Sequence, residues 1–412
     1  MQPNLRSNRL RDILLLVFSL VSILVLLGRG IYLAVTGFVP STPQSTTTLA
    51  SDIYGALSML FCAVLLLPAV FLSLRLLKGR VIHIARVPSI KLWQVAVLLG
   101  VWILVIIFGS IIIGLINYGW AAAAPFFLLG IAIPVAGLVW IAIGGLPTGS
   151  WRRLWAALGI GMTASTSVAM ILELIVAGSV VLVAGIIAAL NPASLAALEQ
   201  LKDQISNAGD IQALLPILAP YLNNPLVFLS ILIFVAGIGP LIEEAIKPLA
   251  VWLVWKRLRS PAEGFVLGAL CGAGFALLEG MLVTSGATEM LGFSLTGRAT
   301  SSLMHITASG LMGWAIASAL LEKRYGRLAW TYLLSVTIHG LWNGSVLLAV
   351  YGGLRLSVQE TNPDLLGGIS VVAGVGLLGA ILISVLVILP VINSRLRPAP
   401  PMQSDIIAPP QS

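Results

Sequence analysis

Two adjacent carboxylates and an ammonium interrupt an otherwise apolar run, "GIGPLIEEAIKPLAVWLVW", at 237–255. Glu243 and Glu244 diverge by about 100° on a helix, so both can border one cavity although they cannot face one neighbour. Lys247 lies within reach of either, four residues after the first and three after the second. Carboxylates paired in a low-dielectric pocket do not both ionise easily. Such a pair can take a proton from an attacking water and return it to a leaving amine. That is the chemistry of peptide-bond hydrolysis by an activated water. Pro240 and Pro248 flank the group, and Pro248 has no N–H to offer the carbonyl of Glu244, so the helix is weakened there.

Few other titratable groups lie deep in apolar runs. Of the 15 acids only Glu173, Glu243, Glu244 and Glu279 do, and of the three histidines only His305 and His339, with His83 in a basic loop. An ionisable group at the bilayer centre costs roughly 2.5–3.5 kcal/mol, so each needs a partner or a task. Counted from the nearest basic loop, Glu244 and His339 lie roughly 17–18 Å deep and Glu279 and His305 roughly 26 Å. One shared site is expected. Thr331, Ser335, His339 and Asn343 recur every four residues on one helix face, and Arg298, Ser301, Ser302, His305 and Ser309, at offsets 3, 4, 7 and 11, share a face of another. The hydroxyls read as interhelical hydrogen-bond glue. A histidine is expected to donate to a tetrahedral oxyanion, with Asn343 as a further amide donor. Arg298 either anchors a substrate carboxylate or marks the outer interface. Glu173, in "VAMILELIVAG", is expected on a span outside this cluster, bonded to a neighbouring helix.

The elements that must position these groups are membrane helices. The chain is 58% hydrophobic and 9% charged, far below the charged fraction of about 25% in soluble domains. Apolar runs of spanning length begin near residues 13, 52, 93, 124, 155, 225, 262, 299, 329 and 366. The fold class expected is an all-α, polytopic transmembrane bundle of about ten spans. If these alternate, 18 of the 23 Lys and Arg fall on one side, which makes that side and both termini cytoplasmic. The net charge of +8 is then topology, and no nucleic-acid partner is expected. Residues 1–190 read as about five N-terminal spans and 191–224 as an extracytoplasmic amphipathic segment. A four-helix core over 225–351 follows, then a last loop and span over 352–392 and a Pro-rich, disordered tail over 393–412. The run 155–190 is too long for one straight crossing. Gly264, Gly268 and Gly272 form a small-residue face that admits a neighbouring helix closely. Cys62 and Cys271 lie inside spans and make no secreted-type disulfide framework.

Rival chemistries find little support. No aspartate lies deep in a span, Ser309–Gly310 is only a fragment of a G-x-S-G motif, and there is no H-E-x-x-H. In order along the chain, "EEAIK" at 243–247, "FALLE" at 275–279, His305 and "HGLWN" at 339–343 occupy successive spans. This order resembles the PrsW family of intramembrane proteases, relatives of the CAAX-protease and bacteriocin-processing group. The lysine of the first motif and the glutamate of the second favour the PrsW side. The resemblance covers about 225–350. It implies a glutamic-type peptidase in a bacterial-type plasma membrane that cleaves a single-pass or otherwise membrane-anchored protein, such as an anti-sigma factor. Glu243 and Glu244 would activate water, supported by Glu279, His305 and His339, with Lys247, Asn343 and Arg298 around them. No cofactor is expected; the alternative is zinc on Glu279, His305 and His339. Two other readings stay open: a proton-coupled transporter or channel that uses the Glu/His cluster as a relay, and an inactive scaffold.

Overall fold

In the computed structural model of the chain, the residues described are 5–38, 46–80, 87–116, 118–207, 217, 220–221, 223–285, 290–358 and 364–398. Ten helical stretches among them are long and apolar enough to cross a membrane, and the chain is a multi-pass integral membrane protein. In chain order the helices are α1 (Leu5–Phe38), α2 (Thr46–Leu77), α3 (Leu92–Leu115), the short α4 (Gly119–Ala122), α5 (Ala124–Ile143), α6 (Trp151–Ile160), α7 (Thr166–Ala189) and α8 (Pro192–Asn207). They continue with α9 (Pro225–Ile233), α10 (Gly239–Ile246), α11 (Leu249–Leu253), α12 (Pro261–Thr284), α13 (Leu291–Glu322), α14 (Tyr325–Val358) and α15 (Leu365–Leu396). Two π-helical turns, Gly161–Ser165 and Phe234–Ile238, join α6 to α7 and α9 to α10.

At the centre stand α12 and α13, whose apolar stretches are each 83% buried. The glycines of α12 explain the closeness of the pair. A Cβ on Gly268 would lie 2.2 Å from the carbonyl oxygen of Ser309, and one on Gly272 would lie 2.4 Å from that of His305. Any side chain at either position would collide with backbone, as the spacing predicts. The opposite face of α12 is as tight: a Cβ on Gly274 would lie 2.1 Å from the carbonyl oxygen of Leu158. Thus α12 is clamped between α6 and α13, and His305 is held at a fixed distance from α12. Cys271 is buried there and packs, its thiol donating to the carbonyl of Ala157 at 3.4 Å.

The overlong run over 155–190 is one helical stretch, Trp151–Ala189, interrupted by the π turn. Gly161 sits at the start of that turn, where a Cβ would lie 2.1 Å from the carbonyl oxygen of Cys271. The C-terminal part of the stretch has no buried residue in its apolar window. Of the segment 191–224, α8 is described, whereas much of 208–222 lies outside the described residues. The last boundary needs correcting. α15 runs through 393 to Leu396 because Asn393 is buried and donates to the carbonyls of Ala142 at 2.8 Å and Gly144 at 3.0 Å. The tail beyond 398 and His83 lie outside the described residues.

Candidate active site

The carboxylate pair sits on α10, a helix of only eight residues. Each of its ends has a local cause. At the start, the π turn places one extra residue in the helix, and the carbonyl of Val235 within it accepts from the Asn343 amide at 3.0 Å. At the end, Pro248 leaves the Glu244 carbonyl without its helical donor, and Lys247 and Pro248 form a turn. The Tyr332 hydroxyl donates to the carbonyl of Leu241 at 2.7 Å and fixes α10 against α14. Ser165, in the other π turn, donates to the carbonyl of Lys247 at 3.2 Å.

Lys247 is the centre of the cluster. Its side chain is completely buried, and its Nζ lies 2.9 Å from Glu243 Oε2, 2.7 Å from Glu244 Oε1 and 2.8 Å from His305 Nδ1. An ammonium has three donors and no acceptor, so His305 accepts through Nδ1. The contact with Glu243 Oε2 is an ion pair, as is that of His305 Nε2 with Glu279 Oε2 at 3.0 Å. His339 Nδ1 lies 2.9 Å from Glu244 Oε1 and 3.3 Å from Lys247 Nζ. Its Nε2 lies 3.9 Å from Glu243 Oε2. The two imidazoles meet edge to face at 5.2 Å, and Phe275 closes the floor with Lys247 Nζ 4.8 Å from its ring centre.

The two glutamates differ in access. The Glu244 side chain has no exposed area, whereas that of Glu243 is 14% exposed and that of Glu279 31%. Glu279 also accepts from Arg298 Nη1 at 3.2 Å. One connected network thus joins Glu243, Glu244, Lys247, His305, His339, Glu279 and Arg298, as the matched depths predict. Three expectations change. Asn343 does not face the carboxylates, because its amide is spent on the carbonyl of Val235. Ser301 and Ser302 bond within their own helix, to the carbonyl of Arg298, and not across to a neighbour. Glu173 is not far from the cluster: its buried Oε1, without a hydrogen-bond partner, lies 3.8 Å from where a Cβ on Gly239, on the helix of the carboxylate pair, would stand. The sequence offered one signal for this, the two glycines at 237 and 239, which leave α10 open to a side chain from α7.

The donor types also fit a metal. Ligand atoms of Glu243, His305 and His339 lie within 4.8 Å of one another, and a carboxylate with two imidazoles is a set that catalytic zinc uses. Glu243, in place of Glu279, completes this set. Glu244 Oε2 is buried nearby without a hydrogen-bond partner. The lone pairs a metal would take on Glu243 and His305 are the ones that now receive the Lys247 ammonium, so the site is built around a positive charge in either case.

No curated protein and no solved structure matches the chain. A family model does, over residues 206–391, described as PrsW family intramembrane metalloprotease. The matched stretch holds α9 to α14 and most of α15, and hence every cluster residue except Glu173. Over residues 206–391, a little under half of its length, the chain is similar to the PrsW family of intramembrane metalloproteases.

Proposed function

We propose that this protein is an intramembrane endopeptidase that hydrolyses one peptide bond of a membrane-anchored protein, with Glu243 as the base for the attacking water. The observation that carries this reading is the convergence of two carboxylates and two imidazoles on one buried ammonium, with Glu243 the more accessible of the carboxylate pair. Glu244 has another task. It holds Lys247 and His339, so it orients the groups around Glu243 and does not itself meet water. Lys247 keeps both carboxylates aimed inward. Nε2 of His339 stands 3.9 Å from Glu243 and can exchange a proton with the attacking water or the leaving amine. His305 is fixed at both nitrogens and braces the opposite wall. Arg298, on the open side with Glu279, supplies a cation for the substrate carbonyl or a nearby carboxylate.

A metal held by Glu243, His305 and His339 would supply a more acidic water and a Lewis acid for the scissile carbonyl. The role of Glu243 as a group aimed at the reacting centre stands in both versions. The test is cleavage of a single-pass substrate by the full-length protein in liposomes, for wild type, Glu243→Gln and Glu244→Gln, each with and without chelator. Glu243→Gln should lower the rate by about 10³-fold, within the range for a lost general base. Chelator-sensitive cleavage restored by zinc assigns the metal version, and chelator-resistant cleavage assigns the purely glutamic one. Wild-type rates in Glu243→Gln, or proton flux with no cleavage, would overturn the proposal.

A further inference from the structure

A second concentration of charge lies apart from the carboxylate site, on the face that carries the basic loops. A cavity of about 860 Å³ opens there between α1, α6 and the link from α11 to α12. Six cations line it: Arg11, Arg152, Arg153, Lys256, Arg257 and Arg259. No acid is among the lining residues, and two carboxylates adjoin them. Asp12 takes Arg152 Nη1 at 2.6 Å and Arg11 Nη2 at 3.3 Å, and Glu263 takes Arg153. Among the described residues Lys256 and Arg257 make no ion pair. Deeper in, Arg152 is only 6% exposed, yet its Nε has no hydrogen-bond partner, and neither has the buried Nη2 of Arg153. Buried donors of this kind are costly unless a ligand meets them. The rest of the lining is mostly apolar, with Leu14, Leu15 and Phe18 of α1 forming one wall and Leu253 and Leu267 reaching in from the other side.

We infer that this cavity is a binding site for an anionic phospholipid, its phosphate on the arginines and an acyl chain along the α1 wall. The combination argues for a lipid rather than a free anion. Surplus positive charge at the level of the basic loops matches an anionic headgroup, whereas inorganic phosphate would leave the apolar wall uncovered. The walls belong to three separated parts of the chain, so a bound lipid would tie the α11–α12 link to α1 and α6. The link starts directly after the Lys247–Pro248 turn and α11, which places the lipid at the foot of the helix that carries the carboxylate pair.

The test uses the full-length protein in nanodiscs of phosphatidylcholine with and without a minority of phosphatidylglycerol, followed by native mass spectrometry. Phosphatidylglycerol should stay bound in preference to phosphatidylcholine. In the variant Lys256→Ala/Arg257→Ala/Arg259→Ala its retention should fall about tenfold or more, since each such charge contributes on the order of 1 kcal/mol. Lys78→Ala/Arg395→Ala, which removes two cations elsewhere on the same face, should retain the lipid as wild type does. If the triple variant does not fold, the double variant Lys256→Ala/Arg257→Ala, which breaks no ion pair, carries the same expectation. A parallel melting experiment in detergent compares short-chain phosphatidylglycerol with inorganic phosphate, and only the lipid should stabilise. Equal retention of phosphatidylcholine, unchanged retention in the triple variant or its double replacement, or equal stabilisation by inorganic phosphate would each overturn the inference.

Discussion

Charge is buried in two places in this molecule, and the two are handled in opposite ways. Around Lys247 opposite charges are brought together: the ammonium has no exposed area, and two carboxylates and two imidazoles lie within 3.3 Å of it. Around the basic-face cavity six cations meet only two carboxylates. The difference follows from surroundings. At mid-membrane no water can answer an unpaired charge, so the chain must supply every partner. Near the interface, water and headgroups supply the balance, so a surplus is tolerated.

The contrast is sharpest when one cation is removed from each place. Lys247→Met should destabilise the protein by about 3–5 kcal/mol, because it strands Glu243 and Glu244 without their counter-charge. Lys256→Met, at the exposed rim, should change stability by about 0.5 kcal/mol or less. Denaturant unfolding in micelles measures both, and similar values for the two would erase the distinction.

A subtler test concerns Glu173. From sequence it was expected on a span outside the cluster, but its buried, unpartnered Oε1 lies against the helix that carries Glu243. Glu173→Gln should slow cleavage about tenfold, the effect of roughly 1–1.5 kcal/mol lost beside the proposed base. A wild-type rate would return Glu173 to a packing role. The smallest expected effect is that of Asn343→Ala. It should cost about 1 kcal/mol of stability through the lost bond to Val235 and leave the intrinsic cleavage rate of the folded protein unchanged. A fall of the rate with stability intact would restore Asn343 as a transition-state donor.

Much of this was legible in the sequence because membrane helices obey simple rules. Length and hydropathy locate the ten spans, and the four-residue spacing of Gly264, Gly268 and Gly272 announces the close approach of α13. Depth counted from the basic loops puts Glu244, Glu279, His305 and His339 roughly 17–26 Å deep, within reach of one shared site. Pro248 marks the break after Lys247. The features that escaped share a cause as well. The π turns at Gly161–Ser165 and Phe234–Ile238 each add a residue to a helix. That extra residue rotates everything beyond it, and apolar composition carries no trace of such a turn. Glu173 escaped because the helix it lies against, α10, is far along the chain, and only the packing of α7 on α10 brings them together. Asn343 lies on the polar stripe as predicted, but which acceptor its amide takes depends on a carbonyl freed by a π turn. The metal set shows the same limit: span order makes Glu279 the natural third ligand, whereas among the described residues it is Glu243 that has a ligand atom within 4.8 Å of both imidazoles.

The glycine contacts of α12 have a mechanical consequence. With Gly268 and Gly272 set against the backbone of α13, and Gly274 against that of α6, these three helices form a jaw that cannot widen without losing backbone-to-backbone packing along its length. His305 and Glu279 belong to that fixed jaw. The opposing jaw, which carries Glu243, Glu244 and Lys247, is the short α10, bounded by a π turn at one end and a proline break at the other. The proposed base therefore stands on a short segment with a break at each end and not on the packed jaw.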